Sequence, residues 1–413
     1  MENQKCKGMR DLLPNDMIRF RHIEDAFRTC CFKYGYQEVR TPTLEYLHLF
    51  TATGTLTPSM LGKVYSFLDW NGWSGERVVL RPDGTIPIAR LYINNLSEHK
   101  TSKLFYVTNI FAFEETGKKG RERWQCGAEF LGSDKLAADA EIIWLVREVV
   151  QKLGINNIKL QLSHAGLVKA LIKELKLSPG EEAKITSHIL DGDWQALMKA
   201  KTTISELDKL ISPLLSLKGK SSGFLQNTRA LYQQASPDFQ ASLDDFINIS
   251  TLLDSLGCDY EIDITAISGF EYYTGVCFQL LANGDKIGGG GRYDDLIPLM
   301  SGKNIPACGF ALYIDPIMKL LPMEHKESGE YRILIRGEES TPEIVRVCFT
   351  LAQSLRDAKQ TVEIDFAKQE SSGYRWVISV SDKKPCAFAI WDSKQNQRTE
   401  VESVLEILNI LGG

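Results

Sequence analysis

The run Gly288-Gly289-Gly290-Gly291-Arg292-Tyr293-Asp294-Asp295-Leu296 is the stretch on which the reading of the fold turns. Four consecutive glycines let a backbone approach closely either to a ligand or to a neighbouring strand. No Gly-Lys-Ser/Thr follows, so the run is not a phosphate-binding P-loop. Nor does it have the strand-to-helix context of a dinucleotide-binding fingerprint. Just upstream, residues 258–280 alternate as β structure, and Asn283-Gly284 supplies a strong hairpin turn. The glycine run closes that β unit.

Working towards the N-terminus, AADAEIIWLVREVVQKLG predicts an amphipathic helix with Ile142, Leu145, Val146, Val149 and Leu153 on one side. Before it, KLFYVTNIFAFEE and RWQCGAEFLG predict an antiparallel hairpin with a long basic loop. RVVLRPDGTIPIARLYIN reads as a strand, a turn at Pro82-Asp83-Gly84 and a helix start. Residues 14–35 place Ile18, Ile23, Ala26, Phe27 and Cys30 at helical spacing, with Gly35 as a stop. A short extended segment, YQEVRTPTLEY, follows, its pairing limited by Pro42.

Residues 164–256 read as an inserted helical subdomain rich in Lys, Leu, Ser and Glu. After the glycine run, residues 321–330 form a polar linker. Strand and helix patterns then alternate over 331–413, which argues a small α/β domain.

The chain has 413 residues, 43% hydrophobic and 24% charged, enough for two or three domains with sizeable cores. A net charge of -5 removes any bulk electrostatic case for a nucleic-acid partner, although local basic patches remain compatible with one. Nine cysteines without a CxxC pair argue against zinc and for reduced thiols in a cytoplasmic protein. No apolar run approaches the roughly 18 residues of a membrane span. No metal and no cofactor is expected.

Three segments offer binding chemistry. The turn Arg81-Pro82-Asp83-Gly84-Thr85 presents a carboxylate and a hydroxyl at a strand end. They either hold a ligand ammonium or cap the helix that follows. Gln125 and Glu129 lie four apart on one strand, so they share a face. A carboxylate flanked by Cys126, Ala128 and Phe130 needs a partner, either a ligand imidazole or ammonium or an internal Arg or Lys. Glu271-Tyr272-Tyr273-Thr274-Gly275 adds hydroxyls suited to a polar pocket, though each tyrosine taken singly also suits core or rim.

Together these segments resemble the histidyl-tRNA synthetase family over roughly residues 5–320. KGMRDLLP is similar to that family's opening signature and YGYQEVRTPTLEY to class II motif 1. RWQCGAEFLG resembles the second half of motif 2. SGFEYYTGVCF and GGGGRYDDL resemble the two histidine signatures. The resemblance implies an α+β fold: a class II synthetase-like antiparallel sheet flanked by helices over 1–320, a helical insertion at about 164–256, and an anticodon-binding-like α/β domain over 331–413. It also implies a histidine site. Asp83, Thr85 and Gln125 match the positions that hold the ammonium end, with Asp83 where the synthetases usually have Glu. Glu129, Tyr273 and Tyr293 match those around the imidazole. Motif 1 implies a homodimer.

Three positions depart from the enzymes. The synthetases carry Arg after the Phe of motif 2, before Gly in the first histidine signature, and at the end of motif 3. This chain has Ala112, Ser268 and Pro316 there, with Tyr313 replacing a motif 3 glycine. Adenylate formation needs cations preorganised on phosphate charge. The loop residues Arg121 and Arg123 remain as candidate anion contacts, the alternative being solvated loop charges.

This pattern resembles the ATP phosphoribosyltransferase regulatory subunits, synthetase paralogues with no catalysis of their own. LRPDGTIPIARL is similar to their Leu-Arg-Pro-Asp-x-Thr-x-Pro-x-Ala-Arg run. The resemblance implies partnership with the short-form catalytic ATP phosphoribosyltransferase, histidine as a feedback ligand, and no tRNA binding. A divergent histidine–tRNA ligase and another RNA-binding or effector paralogue stand as the alternatives.

Overall fold

A computed structural model describes residues 5–53, 61–70, 75–113, 120–174, 177–190, 218–266, 272–322, 332–366, 373–381 and 388–411. The chain divides into two units, Met1–Leu321 and Pro322–Gly413.

The first unit is built on nine strands among the described residues. They are β1 (Gln37–Glu38), β5 (Ser102–Phe111), β6 (Glu122–Leu131), β7 (Ile158–His164), β8 (Lys218–Gly219), β9 (Glu261–Asp263), β10 (Val276–Ala282), β11 (Asp285–Arg292) and β12 (Ala307–Tyr313). Their order across the sheet is β1-β5-β6-β12-β11-β10-β7-β9-β8. All neighbours are antiparallel except β1 with β5 and β7 with β9, so the expected antiparallel sheet is present with parallel pairs towards its two edges. A separate three-stranded sheet pairs β2 (Leu44–Tyr46) and β3 (Ser66–Trp70) with β4 (Gly75–Leu80) between them.

Alternation along the strands gives the large sheet two faces. One carries Phe105, Val107, Cys126, Ala128, Phe278, Phe310 and Leu312 into a core with helices that include α1 (Pro14–Lys33), α4 (Leu136–Lys152) and α8 (Pro237–Ser255). Ile18 was expected on the apolar face of α1 but is exposed, and Phe20 and Cys31 are buried in its place. Apolar spacing marks a helix; which side faces the sheet is settled by packing. Helix α5 (Ala165–Glu174) and α8, both within the stretch read as an insertion, share this same core rather than one of their own.

The other face carries Leu104, Tyr106, Leu131, Tyr293 and Ala307. They pack against α3 (Thr85–Asn95) and α9 (Leu296–Ser301). The residues expected from the sequence to form a binding site lie on this face.

The hairpin turn between β10 and β11 forms at Asn283 (φ 51°) and Gly284 (φ 87°), the two positive-φ positions that Asn-Gly supplies. The glycine run lies within β11. A Cβ on Gly290 would stand 2.2 Å from the Gly309 carbonyl oxygen of β12. Close approach there is to a neighbouring strand.

The second unit is a five-stranded sheet in the order β14-β13-β15-β16-β17. Its strands are β13 (Arg332–Gly337), β14 (Thr361–Asp365), β15 (Trp376–Val380), β16 (Phe388–Asp392) and β17 (Gln397–Val401). Helices α11 (Pro342–Asp357) and α12 (Val404–Leu411) pack on it. Its core is Ile333, Ile335, Cys348, Leu351, Leu355, Ile378 and Ile390.

No helix among the described residues is long and apolar enough to cross a membrane. Nor do they hold a metal-ligating cluster. The eight described cysteines are all free thiols; Cys386 lies outside the described residues.

Candidate functional site

Strand β6 brings Gln125, Gly127 and Glu129 onto the second face of the sheet. There they lie opposite Thr108, Tyr106 and Leu104 of β5 on one side, and Tyr313, Ala311 and Gly309 of β12 on the other. Glu129 is the centre of the site and is 1% exposed. Neither a lysine nor an arginine partners it among the described residues. Its partners are hydroxyls: Thr85 donates to Oε1 at 2.9 Å, Tyr106 donates to Oε1 at 3.3 Å, and Tyr293 donates to Oε2. Burial pushes the carboxyl up to about 8. The Tyr293, Thr85 and Tyr106 hydroxyls pull against that shift and the Asp83 carboxylate adds to it.

Room for this side chain comes from glycine. A Cβ at Gly309 would lie 1.7 Å from Glu129 Oε2 and 2.7 Å from the Ala128 carbonyl oxygen. Gly309→Ala is therefore expected to displace the carboxylate and lower the melting temperature. A thermal melt checks this, and a variant that melts like the parent would refute the steric account.

Asp83 lies at the turn before α3. Its Oδ1 accepts from the Ile86 N–H at 2.9 Å, so the helix-capping role is realised. Burial raises its pKa, opposed by the N–H groups of Ile86, Thr85 and Gly84. Thr85, matched in sequence to the ammonium end, turns its hydroxyl onto Glu129 instead. Gln125 is 3% exposed and donates Nε2–H to the Tyr106 hydroxyl at 3.3 Å.

Three tyrosines wall the site. Tyr272 and Tyr273 have ring centroids 4.7 Å apart, and Tyr272 meets the edge of Tyr293 at 5.7 Å. The Tyr273 carbonyl accepts from Lys169 Nζ of α5 at 2.8 Å, which ties this wall to the helical stretch. Tyr313 is a fourth hydroxyl near Asp83. Burial raises its pKa, as does Asp83, while nearby Arg123 lowers it.

The six residues expected to bind histidine thus converge on one face. Sequence reasoning missed Tyr106, which touches both Gln125 and Glu129. The signal was available: Tyr106 shares its strand face with Leu104 and Thr108, opposite Gly127 in a hairpin already expected.

Of the candidate anion contacts, Arg121 stacks over the Phe113 ring at 4.5 Å, and its backbone N–H donates to the Gly8 carbonyl at 2.8 Å. Arg123 donates Nε–H to the Gly120 carbonyl at 3.1 Å. Ala112 extends the β5–β6 ladder, its N–H donating to the Arg121 carbonyl at 2.9 Å. Pro316 occupies the first turn of α10 (Ile314–Leu320), where a missing N–H costs little. Ser268 lies outside the described residues.

On the far side of the sheet from Tyr293, its neighbour Arg292 forms a buried fork with Asp139 of α4. Nε and Nη2 donate to the carboxylate at 3.0, 3.1 and 2.8 Å. Nη1 reaches the Ser133 carbonyl and Asp294, each at 3.0 Å.

The family model described as histidyl-tRNA synthetase matches residues 8–317. The ATP phosphoribosyltransferase regulatory subunit of Dehalococcoides mccartyi is 45% identical over 410 residues, spanning 99% of this chain and 98% of that protein. The histidine–tRNA ligase of Methanococcus maripaludis is 30% identical, with 99% of each chain covered. Among solved structures, one from Bacillus halodurans, described as an ATP phosphoribosyltransferase regulatory subunit/histidyl-tRNA synthetase, superposes with a TM-score of 0.79 at 26% identity, covering 92% of this chain and 98% of that one. A histidyl-tRNA synthetase from Nostoc sp. shares the fold, with a TM-score of 0.75 at 18% identity over 100% of this chain and 99% of that one.

Proposed function

This chain belongs to the histidyl-tRNA synthetase family, within its ATP phosphoribosyltransferase regulatory-subunit branch, and from that premise we propose that it senses histidine for a catalytic ATP phosphoribosyltransferase. It acts in the cytoplasm as a homodimer joined through the motif 1 region, within a larger complex with the short-form catalytic subunit. It activates that partner, transmits feedback by histidine, carries out no aminoacylation and does not bind tRNA.

The observation that carries the reading is the buried Glu129 carboxyl ringed by three hydroxyls. An imidazole matches it in either protonation state. The acid donates to a neutral ring nitrogen, or the carboxylate accepts from an imidazolium; the two differ only in which atom holds the proton. Tyr273 and Tyr293 flank the ring, Thr85 turns its hydroxyl to Glu129, and Asp83 and Gln125 line the end that takes the ammonium. Arg123, near Tyr313, would meet the ligand carboxylate, whereas Arg121 is engaged with Phe113. Meanwhile Ala112, Ser268 and Pro316 bring no guanidinium to a polyphosphate. Binding is thereby kept and adenylate chemistry lost.

Histidine regulates only to the extent that it binds one state of the complex better than the other. Mixing the purified chain with the short-form enzyme is expected to raise the rate of ATP phosphoribosylation, and histidine to suppress it. Histidine-dependent ATP–pyrophosphate exchange by the chain alone is expected to be absent. No activation, or robust exchange, would refute the proposal and favour the ligase.

A further inference from the structure

We propose that Tyr106 is a positioning residue that makes the site select a protonated amine, by holding the Gln125 amide with its carbonyl oxygen towards the ligand; this rests on the histidine-site reading above. Tyr106 stands on β5 directly opposite Gly127 of β6. Its ring fills the space on two glycines: a Cβ on Gly127 would lie 2.3 Å from it, and one on Gly84 2.5 Å. The ring is 2% exposed, and this packing fixes where its hydroxyl sits. That hydroxyl is 3.3 Å from Glu129 Oε1 and 3.3 Å from Gln125 Nε2.

A phenol has one proton to donate. Glu129 Oε1 accepts that proton whether the carboxyl is ionised or carries its own proton towards the ligand, and the phenol oxygen accepts from the Gln125 amide. An amide has a donor end and an acceptor end. With its NH2 held by Tyr106, Gln125 directs the oxygen the other way. An ammonium group carries donors only and needs that oxygen. In the reverse orientation the buried amide would meet the ammonium with its own N–H groups, leaving both unsatisfied. Tyr106 therefore links the imidazole end of the site to the amine end without touching the amine.

The test is calorimetric titration of the full chain and its Tyr106→Phe variant with L-histidine and with imidazolepropionate, the analogue lacking the amine. Phe preserves the ring packing. The variant is expected to lose roughly 10- to 50-fold in histidine affinity and little for imidazolepropionate, so the preference for the amine collapses. The pH profile of histidine binding should also move upward, because Glu129 loses a donor that favours its charged form. Gln125→Met, which removes the acceptor while keeping the length, should lose the same preference and serves if Tyr106→Phe does not fold. Unchanged histidine affinity, an equal loss for both ligands, or retained amine preference in Gln125→Met would overturn the assignment of Tyr106. Failure of the parent chain to bind histidine at all would instead overturn the reading of the site, and this proposal with it.

Discussion

Replacing Glu129 by Gln is expected to weaken histidine binding by roughly 30- to 150-fold, the loss of about 2–3 kcal/mol for a hydrogen bond to a charged partner, while making the ligand-free protein more stable. The two effects share a cause. Glu129 is buried against three hydroxyls, and its pKa is pushed from 4.5 up to about 8. In the unfolded chain it ionises near its ordinary value; in the folded protein it resists ionisation. The folded state therefore binds more protons throughout that window, and parent stability falls as pH rises from about 4.5 to about 8. The slope attributable to this group is about 1.4 kcal/mol per pH unit. Gln does not titrate, so the advantage of Glu129→Gln grows across the window and levels off above it. Urea denaturation at a series of pH values, paired with histidine titration, measures both effects. A variant that binds histidine as tightly as the parent would mean the pocket no longer recognises an imidazole. A stability difference flat with pH would mean Glu129 is ionised in the folded protein. In complex with the catalytic subunit, the variant should still activate but lose histidine feedback.

Arg292→Met is expected to be the most damaging single change to the fold, costing about 3–5 kcal/mol. Arg292 and Asp139 are 9% and 4% exposed at their side chains, and the fork between them joins β11 to α4. Burial raises Asp139 to about 6, against the pull of Arg292. The same pair holds Arg292 above the ordinary guanidinium range, its raised pKa set by Asp139 against the desolvation that opposes it. Without the guanidinium, Asp139 is left as a buried carboxylate with no cation, and its pKa rises further. Destabilisation should thus be smallest in acid and grow as pH climbs through neutrality, because the unfolded chain ionises Asp139 freely while the folded one does not. Adding Asp139→Leu should recover much of the loss, since a buried pair replaced by apolar groups costs far less than one broken in half. Urea curves of the two variants decide it; a double variant as unstable as the single would show that the Ser133 and Asp294 contacts, rather than the lost charge balance, dominate.

Much of this protein is legible without coordinates. The Asn283-Gly284 turn, the helix at Pro14–Lys33 and the hairpin carrying Gln125 and Glu129 follow from local rules: positive-φ preference, apolar spacing and strand alternation. The C-terminal unit was read less fully. Gln397–Val401 is a polar strand whose only fully buried residue is Val401, so alternation gives it almost no signal. Asp139 gave none either, because nothing local distinguishes a buried charge from a surface one.

By itself, then, the sequence determined the order of elements, the family motifs and six candidate site residues, Glu129 and the five gathered around it. Tertiary structure alone decided what those residues touch. Thr85 turns to Glu129, Tyr106 joins Gln125 to Glu129, and Arg292 reaches Asp139, 153 residues away in sequence. The glycine run at 288–291 shows the division well. Its composition permits close approach to anything, and only the neighbouring strands determine that the approach is to backbone. Propensity and periodicity act within a few residues of the chain, whereas a buried polar group takes whatever partner the packed sheet and helices bring to it.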